Sequence, residues 1–360
     1  MKKLYFEIHA IQNLPPSCVN RDDTGSPKTC IYGGVNRARV SSQSWKKAIR
    51  EDFKEKLPKE KTGYRTKHLI PLLSKELDKL VDIKNSKQTA RKLLELAGLK
   101  IKDQKDEGKD GEVGIQDTLF FISHAQLVAL AKLYAENPDI TSEGGGKNKD
   151  LAKKAMRQAP SLDVALFGRM VAEEPSLNTD ACCQVAHAIS THPVTTEYDY
   201  FTAVDDENKV GAGHIGTTEF NSSTLYRYTT VAVHALYDYL KEETGEALEA
   251  FTRAFCLSMP KGKQNPFANR TVPSEIVFTL REDQPINLVG AFEKPIYADQ
   301  KGLVEPSITA LDQYAEKVYT IYGKPVKSYK VGGEGGTSFD ETVQQLLLDL
   351  KSYLSEEEVE

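Results

Sequence analysis

Residues 35–50 read VNRARVSSQSWKKAIR, and the pattern changes period partway along. Val35–Val40 alternates, which predicts a strand with Arg37 and Arg39 on one face and Ala38 and Val40 on the other. Ser41, Ser42 and Ser44 then offer three N-caps, and Gln43 suits a capping box. Beyond them Trp45, Ala48, Ile49 and Phe53 recur at helical spacing as an apolar stripe. Gln43, Lys46, Lys47 and Arg50 fall at i, i+3, i+4 and i+7, on the opposite face.

Residues 24–50 carry Lys28, Arg37, Arg39, Lys46, Lys47 and Arg50 and no carboxylate, in a chain of net charge −5. The acidity lies elsewhere: the last six residues, SEEEVE, include four glutamates. Averaged charge argues mildly against nucleic acid, but a local patch sets the local field. A helix N-terminus offers free N–H groups and the positive end of the dipole, and serine hydroxyls add donors. Such a surface can hold a row of phosphates; a well-capped, solvated helix face is the plainer reading.

The 360 residues suffice for one large domain or two to three modules with a sizeable core. No stretch approaches a membrane span, and MKKLYFEIHA alternates too regularly for a signal peptide. Five cysteines without CxxC spacing suit a reducing cytoplasm. Leu4, Phe6 and Ile8 alternate with Tyr5, Glu7 and His9, a half-buried strand followed by a turn-rich loop over 11–27. Helical patterns fill 42–98 and 117–136, separated by a charged linker over 100–114, and SEGGGKNKD at 142–150 reads as a flexible break. Strand signals return at 181–192 and 224–234, and 193–223 between them reads as an extended hairpin turning at 205–209. Helices at 235–258, broken near Gly245, a strand at Glu275–Arg281 and a last helix near 340–354 complete an α+β pattern around an antiparallel sheet with two insertions.

Ordered motifs carry a family resemblance. PPSCVNRDDTGSPKTCIYGGVNRARVSSQSWKKAIR at 15–50, LDVALFGRM at 162–170, VAHAISTHPV at 185–194, YFTAVDD at 200–206, HIGTTEFNSSTLYRY at 214–228 and NLVGAFEKP at 287–295 resemble the CasC family. These are RAMP-superfamily backbone subunits of Cascade, the type I-E CRISPR surveillance complex. The resemblance implies a ferredoxin-like, RNA-recognition-type antiparallel palm with a helical finger insertion and an extended β-hairpin thumb. It divides the chain into palm with the RNA-binding helix at 1–55, finger at 56–160, palm at 161–192, thumb at 193–223, and palm and C-terminal region at 224–360. It implies a cytoplasmic, non-catalytic subunit whose copies polymerise along a guide RNA, kink it periodically and present it to target DNA. Its partners would be guide RNA, target DNA, further copies of itself and other Cascade subunits.

Carried onto this sequence, Arg21, Lys28, Arg37, Arg39, Ser41, Ser42, Gln43, Lys46, Lys47, Arg50, Arg169 and Met170 become the candidate RNA contacts. Tyr200, Phe201, Thr202 and Ile215 become the thumb wedge, for which self-packing or subunit contact is the alternative. Lys147, Lys149, Lys153, Lys154 and Arg157 resemble a basic finger region that meets duplex DNA, or else a solubilising turn. Tyr226 and Tyr228 share a strand face and read as core or interface. Asp22 and Asp23 are the one serious catalytic alternative, a metal-dependent backbone ribonuclease of type III kind; Asp22 could equally close an Asx turn. Cys182, Cys183, His187 and His192 suit core positions better than a zinc set, and KVGGEGGTSFD at 330–340 lacks the Walker GK[ST]. No cofactor or metal is expected.

Overall fold

The computed structural model describes residues 2–105, 112–116, 118–142, 145–203, 214–332 and 337–355. The hairpin tip at 204–213, most of the Gly-rich loop at 333–336 and the acidic tail at 356–360 lie outside them. The chain forms two compact units, one of 1–52, 184–234 and 245–360, the other of 53–183 and 235–244.

The first unit is built on an antiparallel sheet, and the α+β reading of the sequence stands. Its strands begin with β1 (Tyr5–Ser17), β2 (Thr29–Tyr32) and β3 (Val35–Val40), the last running into helix α1 (Ser42–Lys56). From edge to edge the sheet runs Lys327–Gly332, Glu275–Arg281, β1, His214–Ala232, Ala188–Ser190, β3, β2. β1 is an interior strand, registering Phe6 on Val231 and on Leu280.

The half-buried reading of β1 fails because both of its faces are covered. Phe6 and Ile8 are buried on one side; Glu7 and His9 are equally buried on the other. The polar pair is accommodated by hydrogen bonds. Glu7 accepts from the Tyr228 hydroxyl at 2.6 Å, the Thr279 hydroxyl at 3.0 Å and the Ile286 N–H at 2.7 Å. His9 Nδ1 meets the Tyr226 hydroxyl at 2.8 Å, so Tyr226 and Tyr228 are core residues. β1 also continues through the expected loop to Ser17, with an irregular register between Leu14 and Ser17 that absorbs Pro15 and Pro16. A helix at Val304–Tyr322, which the sequence pattern did not isolate, packs with Leu288–Phe292 over Ile11, Tyr226 and Tyr228.

The apolar stripe of α1 is buried as its spacing predicts, with Trp45, Ala48, Ile49 and Phe53 all 5% exposed or less. Trp45 joins Leu14, Ala38, Val40, Leu225 and Met259 in one core cluster. Its ring lies 3.7 Å from the guanidinium carbon of Arg227, a residue of the central strand.

The predicted hairpin pairs Glu197–Ala203 with residues 214–220, and every residue of its first strand is exposed. Its second strand continues into the middle of the sheet as a single 19-residue strand, so the arm is rooted in the core.

The second unit packs the helices Leu69–Leu80, Ser86–Leu96, His124–Glu136 and Gly146–Arg157 around Leu73, Leu93, Leu130 and Met156. Residues beyond 160 are tied into this unit: Asp163 accepts the Gly63 N–H at 2.8 Å and Arg169 donates to the Phe121 carbonyl at 3.1 Å. Two expectations are corrected here. Both ends of the expected charged linker at 100–114 are strand, Ile101–Lys105 pairing with Glu112–Gln116, while 106–111 lie outside the described residues. Its charge hid the β-branched Ile101, Val113 and Ile115 on either side of a turn-forming run. The expected break at 142–150 ends early, since a helix starts at Gly146.

Trp45→Ala should lower unfolding stability by about 3–5 kcal/mol, the scale of a fully buried aromatic truncation. A denaturant titration of wild type and variant, read as a fall in midpoint at constant slope, checks it.

Candidate nucleic-acid interface

The surface around the start of α1 is knitted from three segments. Ser41 caps the helix: its hydroxyl accepts the Ser44 N–H at 3.3 Å and its carbonyl accepts the Ser44 and Trp45 N–H groups at 3.0 and 3.2 Å. The Ser41 N–H donates to Asn20 Oδ1 at 2.8 Å, and the Asn20 carbonyl accepts the Lys28 N–H at 2.9 Å. The Lys28 carbonyl accepts the Arg39 N–H at 2.8 Å. Loop, strand and helix start are therefore one rigid piece, and Asn20, which the sequence reading passed over, is its clasp.

On that piece Ser42 is half-exposed and Gln43 exposed, and no hydrogen bond holds their backbone N–H groups among the described residues. Lys46 and Arg50 are half-exposed; the Lys47 side chain is 78% exposed with its ammonium 3.7 Å from Glu51. Arg39 donates from Nε to the Thr29 carbonyl at 3.2 Å, and its Nη1 lies 3.3 Å from His187 Nδ1. Partial desolvation of its ring, and then the cations Arg39 and Lys28, hold His187 below the usual imidazole range. The region is thus electropositive enough to disfavour one more cation. Arg21 is exposed in the 18–28 loop.

Three of the sequence candidates are engaged elsewhere. Arg37 has no exposed surface: it donates from Nε to the Tyr32 carbonyl at 3.1 Å, from Nη1 to Ser190 at 3.2 Å and from Nη2 to Phe292 at 2.8 Å. Period-two alternation placed it beside Arg39, but its side of β3 is covered. Arg169 is likewise interior, donating to the carbonyls of Leu177, Phe121 and Met156 and to Gln126 Oε1 at 2.9–3.1 Å, over the Phe120 ring. Burial pushes its pKa down to about 10. Ser41 is buried in its capping role and does not face an incoming ligand. In contrast Met170, the residue after Arg169, is 84% exposed.

On the hairpin, Thr202 registers on Ile215, Tyr200 on Thr217 and Phe201 on Gly216. Alternation puts Tyr200, Thr202 and Ile215 on one face and Phe201 on the other. A Cβ on Gly216 would meet the Phe201 ring at 2.5 Å, so Phe201 lies flat across its neighbouring strand while keeping 41% exposure. Self-packing and exposure coexist there. On the basic helix at Gly146–Arg157, Lys147, Lys149, Lys154 and Arg157 are exposed. Lys153 departs from its expected role: its ammonium is paired at 2.7 Å with Glu174.

Asp22 Oδ1 accepts the N–H and hydroxyl of Thr24 at 2.9 and 2.7 Å and the Ser26 N–H at 3.0 Å. Those bonds, the Thr24 hydroxyl first, hold its carboxyl below the usual carboxylate range. It closes the Asx turn. Among the described residues no group of three or more His, Cys, Asp or Glu side chains is placed to hold a metal ion. Cys182, Cys183 and His192 are buried, while His187 is exposed beside Arg39. No described helix is long and apolar enough to cross a membrane.

The chain matches the family described as CT1975-like protein over residues 6–350. It is similar to a solved chain titled "CRISPR RNA-guided surveillance complex, pre-nicking", with 32% identity, a TM-score of 0.82, and coverage of 96% of this chain and 99% of that one. A second, from a "CRISPR RNA-guided surveillance complex", has 28% identity, a TM-score of 0.73 and the same coverage. No curated protein matches significantly.

Arg37→Ala should lower the melting temperature by several degrees and leave the salt dependence of RNA binding unchanged, because it removes buried donors and no surface charge. Thermal melts beside RNA titrations at several salt concentrations check this. His187 is neutral at neutral pH, and its protonation adds a cation to the face. RNA affinity should therefore rise as pH falls from about 7 toward about 5, and His187→Gln should flatten that rise.

Proposed function

The chain belongs to the CT1975-like protein family, and from that membership and the carboxylate-free segment 24–50 that leads into α1 we propose that it is a guide-RNA-binding backbone subunit of a type I-E CRISPR surveillance complex. The resemblance to CRISPR surveillance-complex subunits drawn from the ordered motifs is borne out by the family and structural matches. The observation that carries the proposal is the juxtaposition of unbonded Ser42 and Gln43 N–H groups with Arg21, Lys28, Arg39, Lys46, Lys47 and Arg50 around one rigid helix start.

A guide varies in sequence, so its holder must grip phosphates and leave bases unread. Helix N–H groups, the Ser42 hydroxyl and flexible ammonium groups do this: they meet any phosphate equally and offer no pattern to a base edge. The hairpin supplies the complement. It carries little positive charge but presents Tyr200, Thr202 and Ile215 on one face and Phe201 on the other, apolar groups able to unstack one step at a cost of a few kcal/mol. Met170 offers a further apolar contact to a displaced nucleotide. Copies repeating along the guide would kink it at fixed intervals and leave the intervening bases stacked for pairing with target DNA. Lys147, Lys149, Lys154 and Arg157 form a diffuse cationic face for duplex DNA. In this role the subunit cleaves nothing. It works in the cytoplasm with other Cascade subunits, and the palm, finger and thumb divisions at 1–55, 56–160, 161–192, 193–223 and 224–360 describe its working parts.

Lys46→Ala combined with Lys47→Ala should weaken binding to unrelated spacer RNAs equally and make the log–log salt slope shallower by roughly 1.4, at ~0.7 per single-strand phosphate contact. Binding isotherms at several salt concentrations measure both. An unchanged slope, or weakening confined to one spacer sequence, contradicts the proposal. Sequencing the RNA that co-purifies when the chain is co-expressed with its complex and a CRISPR array identifies the ligand directly.

A further inference from the structure

A second acid-free segment lies far along the chain. Residues 250–274 carry Arg253, Lys261, Lys263 and Arg270 and no carboxylate, the same signature as 24–50. The fold brings part of it beside the first. Met259 anchors the segment in the core cluster that holds Trp45. Gly262 then presses on the 18–28 loop so closely that a Cβ would sit 2.4 Å from the Val19 carbonyl oxygen and 2.7 Å from that of Cys18. Buried Asn269 donates to the Gly262 carbonyl at 3.1 Å and closes the loop, while Phe267 packs at 5.7 Å on Phe220 at the root of the hairpin. Two non-glycine residues, Lys263 and Ala268, hold left-handed backbone with φ of 51° and 46°. Such conformations persist only where surrounding structure fixes them.

Between this loop and α1 runs an open groove of about 710 Å³, walled by residues 19–25 on one side, by Ser44, Lys47, Ala48 and Glu51, and by residues 260–262. Cations from separate segments line it, Arg21, Lys47 and Lys261; of the carboxylates beside Arg21, Asp22 and Asp23, the first is taken up by Thr24 and Ser26 of its own loop. Glu51 lies between two of them, its carboxylate oxygens 3.7 Å from the Lys47 ammonium and 3.5 Å from that of Lys261.

We propose that the 259–270 loop is the second wall of the RNA path, that Lys261 and Lys263 take backbone phosphates opposite Lys47, and that Glu51 occupies the phosphate position between Lys47 and Lys261 until RNA displaces it. The inference rests on the guide-RNA reading above and adds to it the wall, its residues and an internal competitor. A phosphate is the natural occupant because two ammonium groups already share one anionic oxygen pair there. RNA that enters exchanges a carboxylate for a phosphodiester, with the carboxylate swinging to solvent.

The test uses the full chain and single-stranded polyuridine RNA. Lys261→Ala, and Lys263→Asn, which removes a charge while tolerating the left-handed backbone, should each make the log–log salt slope shallower by about 0.7. Glu51→Gln should tighten binding, by up to roughly five-fold, the scale of one exposed ion pair. Melting temperatures within a degree or two of wild type, expected for exposed and half-exposed side chains, separate lost contacts from misfolding; a variant that melts early is replaced by Lys261→Gln or Lys263→Gly. If the Lys46→Ala, Lys47→Ala double variant weakens binding while the slope of the Lys261 and Lys263 variants matches wild type, the second wall is wrong and the guide-RNA reading survives. If the double variant also binds normally, both fall. Unchanged or weaker binding by Glu51→Gln removes the competitor role.

Discussion

The placement of α1 depends on a buried cation held without a carboxylate. Arg227 rises from the central strand and is sandwiched between the Trp45 ring, 3.7 Å from its guanidinium carbon, and the Phe255 ring at 4.4 Å. Gln12 Oε1 accepts one of its N–H groups at 2.5 Å, and the Phe255 carbonyl accepts another. Burial pushes its pKa down to about 9, which still leaves the guanidinium charged at neutral pH. Desolvating a charge is costly, so the cation persists inside only because two π faces and two oxygen acceptors replace water. That requirement is directional. Trp45 must lie flat over the guanidinium, and Trp45 belongs to α1, so the helix is fixed in rotation as well as position. The polar face of α1 is then set outward by what its apolar face must do.

Arginine and lysine divide this work by chemistry. Arg37, Arg169 and Arg227 are interior, the first two aimed mainly at backbone carbonyls and the third at one carbonyl and one amide oxygen. A planar fork of donors can close several chain segments at once, and its weak hydration lowers the cost of burial. The lysines at 46, 47, 149, 154 and 261 remain at the surface, at least in part. An ammonium on a flexible stem is a poor interior cross-link and a good adaptable partner for phosphate. A tally of basic residues along the motif cannot make that distinction, which is why the sequence reading assigned Arg37 and Arg169 to the ligand.

Much of the local architecture was legible. The shift from period two to period 3.6 at Ser41 gave β3, the cap and the buried stripe of α1, and the strand Glu275–Arg281 has the bounds that its alternation indicates. What stayed hidden shares one cause: the deciding information was tertiary. Glu7 and His9 look solvent-facing until Tyr226, Tyr228 and Thr279 supply partners from distant strands. The strand at Ile101–Lys105 reads as a linker because lysines and aspartates dominate its composition, although strand pairing is made by backbone. The site was legible where it is contiguous, around 39–50, and illegible where it is assembled. Asn20 carries no motif, yet it joins loop to helix; residues 261–270 carry a charge signature whose closeness to the 18–28 loop appears only when Gly262 is seen against Val19.

Met170 shows how a buried charge can serve an apolar surface group. A methionine that is 84% exposed gains almost nothing from burial in its own fold. Left to its own preference the loop carrying it would fold the thioether inward. Arg169 prevents this by facing the other way. Its guanidinium is bonded to four acceptors in the interior, its backbone pairs with Thr179, and Gly168 before it adopts φ of 75°, a turn that a side chain would strain. With residue 169 driven in and the backbone direction fixed on both sides, residue 170 is driven out. The same logic places Phe201 across Gly216: a missing side chain on one strand supplies the flat seat that holds an aromatic ring at the surface. Exposed apolar groups that are fixed in this way are available to a partner without first paying to be ordered, which is the property a wedge between bases requires.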